Sequence, residues 1–141
     1  MPNLTISRGT ASEAELNTVF EGLRAHNEAR VGDPGYSPLH VLLRDDEGEV
    51  RGGLAGDVYL GWLFVRYLWV AEEHRGGGYG ECLLREAEDE ARSRGCHAIW
   101  LDTFSFQAPG FYRRLGFQEF GRLDDYPAGH ARHFLWKPLG R

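Results

Sequence analysis

The run "WLFVRYLWV" at residues 62–70, followed at once by "AEEHRGGGYGECLLREAEDEARSRG", constrains the fold of this chain more than any other stretch. A nearly uninterrupted apolar and aromatic run of this length fits a strand buried on both faces, central in a sheet. After the loop the period changes. Tyr79, Leu83, Ala87 and Ala91 recur every four positions, and Glu81–Arg85, Glu88–Arg92 and Glu90–Arg94 stand in the favourable i,i+4 order. That segment predicts a helix, with Gly95 as its C-terminal stop. Between strand and helix, Gly76, Gly77, Gly78 and Gly80 crowd behind Arg75. Such a junction suits an anion. The first helix N–H groups have no internal partner, the helix dipole is positive there, and glycine lets the backbone come close. Arg75 adds a donor fork suited to phosphate. The competing reading is a slack connector. Spacing excludes a P-loop, and G-x-G-x-x-G fails because Glu81 stands three residues after Gly78.

The flanking segments supply the rest of a mixed sheet. "NLTISRG" predicts a first strand and "TASEAELNTVFEGLRAHNEAR" a helix opened by a T-x-x-E capping box, Thr10 with Glu13. Leu16, Val19, Phe20 and Leu23 give that helix one apolar face. "VGDPGYSP" reads as a connector, and "LHVLLRDDEGEVRGGLAGDVYL" as two strands joined by a turn at Asp45–Gly48. "CHAIWLDTF" is another buried strand, "QAPGFYRRLG" a short helix closed by Gly116, and "FQEFGRL" with "HARHFLWKPL" a final strand pair. The order is β-α-β-β-β-α-β-α-β-β, with parallel pairing in the middle and antiparallel edges.

Composition narrows the function classes. A length of 141 residues predicts one domain, 1–141. The 16 Lys and Arg against 21 Asp and Glu, a net charge of −5, argue against a nucleic-acid partner. No apolar run approaches the roughly 18 residues of a membrane span, and "MPNLTISRGT" carries no signal-peptide core. Cys82 and Cys96, the only cysteines, lack metal-type spacing, which fits a reduced, cytoplasmic chain. His130 and His133 lie three apart on an expected strand and so point to opposite faces, which argues against a shared metal.

Two spaced segments resemble the GNAT superfamily of acetyl-CoA-dependent N-acetyltransferases. "LWVAEEHRGGGYGECLL" is similar to its R/Q-x-x-G-x-G/A signature after an L-x-V strand: Arg75, Gly78 and Gly80 fall on the defining positions, Leu68 and Val70 on the strand. "PGFYRRLGF" is similar to the family's late motif through Tyr112, Leu115, Gly116 and Phe117. The resemblance implies an α/β GNAT-like fold, with a central mixed sheet of six to seven strands splayed between the fourth and fifth, flanked by three to four helices. It implies acetyl-CoA as acyl donor, with the pantetheine arm pairing with the main chain of Leu68, Trp69 and Val70. The pyrophosphate is expected on the amides of Arg75, Gly76, Gly77, Gly78, Tyr79 and Gly80. A homodimer is compatible, since family members are often dimers.

The implied reaction is acyl transfer from a thioester to a primary amine of a small molecule or peptide. By the late motif, Tyr112 is the candidate acid near the CoA sulfur; its plain reading is an aromatic core residue beside Phe111. The family's frequent carboxylate on the fourth strand is missing from "WLFVRY". Asp102 is the candidate base on the fifth strand, with a structural carboxylate paired to an arginine or a helix end as the bland alternative. Glu72, Glu73, Asp57, His40 and a water relay are further options. Where the family often has asparagine, Ser105 and Gln107 stand; Gln107 either replaces that cofactor contact or caps the next helix. Asp124, Asp125 and Tyr126, on the loop before the last strand, either draw in a cationic amine or form a solvated turn. Trp62, Phe64, Trp69, Phe104 and Phe106 either line an acceptor pocket or are core. The missing acid keeps a non-catalytic acyl-CoA-binding module as the rival function, and no residue excludes another acyl donor such as propionyl- or succinyl-CoA.

Overall fold

The computed structural model describes residues 3–140. They divide into two compact units, one up to residue 34 and the other from residue 35 on.

The first unit holds one helix, α1 (Glu13–Val31). Its start is fixed by a capping box, but two residues later than expected. Ser12 Oγ accepts from Glu15 N at 3.1 Å, and Ser12 N donates to Glu15 Oε1 at 2.8 Å. Both T-x-x-E and S-x-x-E occur here, and the second lies nearer the residues that propagate the helix. Arg24 bridges Glu21 and Glu28 along one side, and the Gly32 N–H closes the last turn on Glu28 O. Leu16, Val19, Phe20 and Leu23 are all exposed; among the unit's described residues there is no second element against which to bury them. The first strand expected at residues 3–9 does not form. Leu4 and Ile6 are exposed and no ladder includes them. Alternation alone does not make a strand where no edge receives its hydrogen bonds.

The second unit is a six-stranded mixed sheet. Its elements are β1 (Ser37–Arg44), β2 (Val50–Tyr59), β3 (Trp62–Val70), α2 (Tyr79–Ser93), β4 (Ala98–Phe104), α3 (Pro109–Arg114), β5 (Gln118–Asp124) and β6 (Ala131–Pro138). The spatial order is β1-β2-β3-β4-β6-β5, all neighbours antiparallel except β3 with β4. The turn at Asp45–Gly48 is as expected, with Gly48 N on Asp45 O at 3.0 Å. On one face of the sheet, Leu39, Leu54, Val58, Leu63, Val65, Ile99, Leu101 and Leu135 pack with Leu84, Ala87 and Ala91 of α2 and with Tyr112 and Phe117. The three i,i+4 pairs of α2 form, at 2.7 to 3.8 Å, and Gly95 adopts φ +84° just past the helix end.

The splay predicted between the fourth and fifth strands is present, between β3 and β4. These strands pair only from Trp62↔Ala98 to Val65↔Leu101, although β3 runs on to Val70 and β4 to Phe104. The cause is local. Opposite β2, Val65 faces Gly56 and Tyr67 faces Ala55, so Arg66 is an extra residue, a β-bulge that bends β3 away. Gly56 permits it: a Cβ there would lie 2.7 Å from Phe64 O. The reading of 62–70 as buried on both faces is therefore corrected for its second half. Arg66, Tyr67 and Trp69 are exposed because the neighbouring strand has left.

Two glycine substitutions test this packing in opposite directions. Gly56→Ala should cost about 1–3 kcal/mol, since Phe64 O is backbone and cannot swing aside. Gly22→Ala, inside α1 with nothing within 4 Å of its Cβ, should gain about 0.5–1 kcal/mol. Urea unfolding measures both; a Gly56→Ala protein as stable as wild type would contradict the close approach.

Candidate active site

The strands part to leave a cleft of about 610 Å³. One wall is Val65–Val70 of β3, the other Leu101–Phe104 of β4 with Phe106, Gln107 and Ala108, and Arg75 and Tyr112 also line it. Leu68, Trp69 and Val70 face β2 on one side, where their partners are Leu54, Gly53 and Gly52, and the cleft on the other. Their edge toward β4 carries no ladder.

The glycine loop stands at the cleft's β3 end, beyond a single 3-10 turn, Glu72–His74. Gly76 and Gly78 have φ +82° and +84°, a conformation that side chains with a Cβ resist. Gly80 serves differently: a Cβ there would meet the Phe111 ring at 3.3 Å, so it lets α2 and α3 approach. Gly77, like Gly80, is ordinary in φ; a Cβ there would meet the Tyr79 ring at 3.1 Å. Gly78 is the N-cap of α2, and no side chain caps that end. This contrasts with Ser12 on α1 and leaves the first amides of α2 as open donors. Arg75 folds back so that its Nε donates to Val70 O at 2.9 Å, which places the guanidinium beside both loop and cleft.

Tyr112 projects from α3 into the other side of the cleft and is 9% exposed. Burial first, and the Asp102 carboxylate second, push its hydroxyl up to about 12. Asp102 lies across from it on β4 and is engaged by Arg132, whose Nε and Nη2 reach Oδ1 at 2.9 and 2.8 Å. The arginine partner foreseen as the bland alternative is thus present, while the carboxylate still lines the cleft.

The other candidates are distributed unevenly. Gln107 Oε1 accepts from Phe104 N at 2.8 Å and from Thr103 Oγ1 at 3.2 Å, so its oxygen closes the end of β4 rather than capping α3. Ser105 is not among the cleft-lining residues. Its Oγ accepts from Ala131 N at 3.0 Å and contacts His130 Nδ1, beside Asp124 and Asp125 in a separate hollow. Asp57 is taken by Arg66 Nε and the Tyr36 hydroxyl. Glu72, Glu73 and His40 are exposed and outside the cleft. Trp69, Phe104 and Phe106 line the cleft, whereas Phe64 stacks on Trp100 and Trp62 joins Trp100, Phe120 and Trp136 in a shallow basin. His133 pairs with Glu119 and His130 with Ser105. No helix among the described residues is long and apolar enough to cross a membrane. Two participants escape a sequence reading: Arg132, 30 residues from its partner, and the Arg66 bulge, whose one visible sign is a charge inside an apolar run.

Tyr112 gives a measurable signature. Its proton is held more tightly in the folded chain than in the unfolded one, so the associated stability is present below about pH 10 and lost as pH rises through about 12. Over that window wild type should lose about 2–3 kcal/mol that Tyr112→Phe keeps, read by urea unfolding at stepped pH. Equal losses would place the hydroxyl in water.

Known proteins resemble this chain in sequence and fold. The model of the acetyltransferase (GNAT) family matches residues 11–117. The chain is 38% identical over 135 residues to the acetyltransferase Atu2258 of Agrobacterium fabrum, covering 96% of this chain and 98% of that one. It is 44% identical over 95 residues to the blasticidin-S acetyltransferase of Streptomyces morookaense, covering 67% and 70%. Among solved structures, an acetyltransferase from Bacillus cereus superposes with a TM-score of 0.88 at 36% identity, covering 96% of this chain and 97% of that one. The chain belongs to the GNAT acetyltransferase family and is an acyltransferase.

Proposed function

We propose that this chain is a cytoplasmic N-acetyltransferase that moves the acetyl group of acetyl-CoA to a primary amine of a small molecule or peptide by direct attack. The observation that carries the reading is the cleft between β3 and β4, lined by Arg75, Tyr112 and Asp102, with the uncapped amides of α2 next along the chain from Arg75. The residues fit the donor. The amides of residues 76–80 and the Arg75 guanidinium suit a pyrophosphate, while the Arg75 amide itself donates to Glu72 O at 3.2 Å. The main-chain edge at Leu68, Trp69 and Val70, free of any β4 ladder and held only at Val70 O by Arg75, suits the amides of a pantetheine arm, with the Gln107 side-chain amide near the opposite wall.

The chemistry divides between two side chains. A lysine-like amine, with a pKa near ~10.4, is neutral in only about one molecule in ~2,500 at pH 7, a penalty of roughly 4.6 kcal/mol. Asp102 takes the ammonium and, directly or through water, accepts its proton. The neutral nitrogen attacks the thioester carbonyl and the C–S bond breaks. Tyr112 stays protonated throughout the neutral range, so it donates a hydrogen bond to the sulfur as charge collects there. Full transfer from a hydroxyl at about 12 to a thiolate whose acid has a pKa near ~8.5 is uphill by roughly 5 kcal/mol. The acid role is thus mainly charge stabilisation: of the two protons the nitrogen sheds, the first leaves through Asp102 to water, and the second, released as the tetrahedral intermediate collapses, completes the thiol. The likeness to a blasticidin-S acetyltransferase puts small-molecule amines first among acceptors to try.

Purified protein should be stabilised by acetyl-CoA, by about 2.7 kcal/mol at a hundredfold excess over Kd. It should release CoA thiol with at least one member of an amine panel. Tyr112→Phe should lower kcat by about 10²-fold while leaving the acetyl-CoA Kd within about twofold. Binding without thiol release on any amine would mean a non-catalytic acyl-CoA module, and no binding at all would end the reading.

A further inference from the structure

The ion pair between Asp102 and Arg132 is lopsided. Both guanidinium contacts, Nε at 2.9 Å and Nη2 at 2.8 Å, fall on Oδ1, and among the described residues no hydrogen bond reaches Oδ2. The carboxylate keeps 15% of its surface and lines the cleft, so its second oxygen is the one left for a ligand. Arg132 itself is held from several sides. Its guanidinium carbon lies 5.3 Å from the Phe104 ring centre, 5.2 Å from Tyr126 and 5.3 Å from Phe134, and Nη1 donates to the Tyr126 hydroxyl at 3.1 Å. The sheet places these partners: Arg132 is opposite Phe104 and Phe134 opposite Asp102 in the β4–β6 register. Phe104 in turn lies 5.5 Å from the Tyr126 ring, and it walls the cleft. A planar, stacked, multidentate cation is needed for this geometry; an ammonium point charge cannot reproduce it.

We propose that Arg132 is a positioning residue for the acceptor: it grips Oδ1 so that Oδ2 of Asp102 faces the incoming amine, and through the Tyr126 hydroxyl it joins that carboxylate to the loop between β5 and β6. Asp102, Arg132 and Tyr126 then act as one acceptor-recognising unit. The loop senses the acceptor through Arg132, with no need for its own acids: Asp124 is already paired with Arg122 at 2.7 Å. The inference rests on the N-acetyltransferase reading and adds to it the side chains that set acceptor affinity. It differs from a plain structural clip between β4 and β6, which would alter stability and leave the split between KM and kcat untouched.

The test is steady-state thiol release with whichever of spermidine, glucosamine, lysine and blasticidin S turns over best, beside calorimetric acetyl-CoA binding. Arg132→Met should raise the amine KM by about tenfold or more with the acetyl-CoA Kd within about twofold. Arg132→Lys should not restore it, and Tyr126→Phe should raise KM by about two- to fivefold. Because Arg132 acts through Asp102, adding Arg132→Met to Asp102→Asn should change KM by less than about twofold further. An unchanged amine KM in Arg132→Met, full rescue by Arg132→Lys, or additive effects in the double variant would overturn the proposal. Should Arg132→Met not fold, Arg132→Gln carries the same readout. Wild type that releases no thiol with any of the amines removes the acetyltransfer reading itself, whereas active wild type indifferent to Arg132 removes only the positioning role.

Discussion

A parallel strand pair that stops after Val65↔Leu101 is the constraint on which the rest of this molecule depends. Hydrogen bonds in a sheet are normally continued for as long as both strands last, because each unpaired buried amide or carbonyl costs about 1–3 kcal/mol. Here both strands last and the pairing does not. The extra residue Arg66 turns β3 outward, and Gly56 supplies the room on β2. The result is a sheet with two main-chain edges that share no ladder beyond that point, with Val70 O held by Arg75 and Phe104 N by Gln107, across a cleft. Such edges suit a ligand that carries its own amides, and the uncapped α2 terminus, next along the chain, suits that ligand's charged end.

Electrostatics then sorts the cleft. Arg75 and the α2 amides make one end positive, while the other end holds a buried neutral hydroxyl and a carboxylate gripped on one oxygen. Burial chiefly, and the Asp102 charge in addition, push the Tyr112 hydroxyl up, and that negative charge also suits a cationic nucleophile. One arrangement thus combines a neutral hydroxyl that can donate a hydrogen bond with a carboxylate suited to a cationic acceptor, as the proposed transfer to an amine requires.

Most of the architecture was legible from the chain because its signals were local. The change of period after Gly80, the i,i+4 pairs of α2 and the turn at Asp45–Gly48 each specify their element within a few residues. The departures arise where distant partners decide. Residues 3–9 alternate suitably yet join no ladder, and Thr10 lost the cap to Ser12. The apolar second half of 62–70 looked like a doubly buried strand; it borders a cleft instead, because its neighbour diverges. Ser105 and Gln107 were equivalent as polar residues near α3, but the backbone turn aims one at Ala131 and the other at Phe104. Arg132 carried no local mark at all. Its role comes from strand register, which brings it opposite Phe104 only once β6 has paired with β4.

Amide hydrogen exchange with and without saturating acetyl-CoA tests the assignment of the cleft most directly. Slower exchange is expected at Leu68–Val70 and Gly76–Gly80, with Ser37–Arg44 on the sheet's far edge unchanged. Protection confined to the hollow beside Ser105 and His130, or none in either cleft segment, would contradict it.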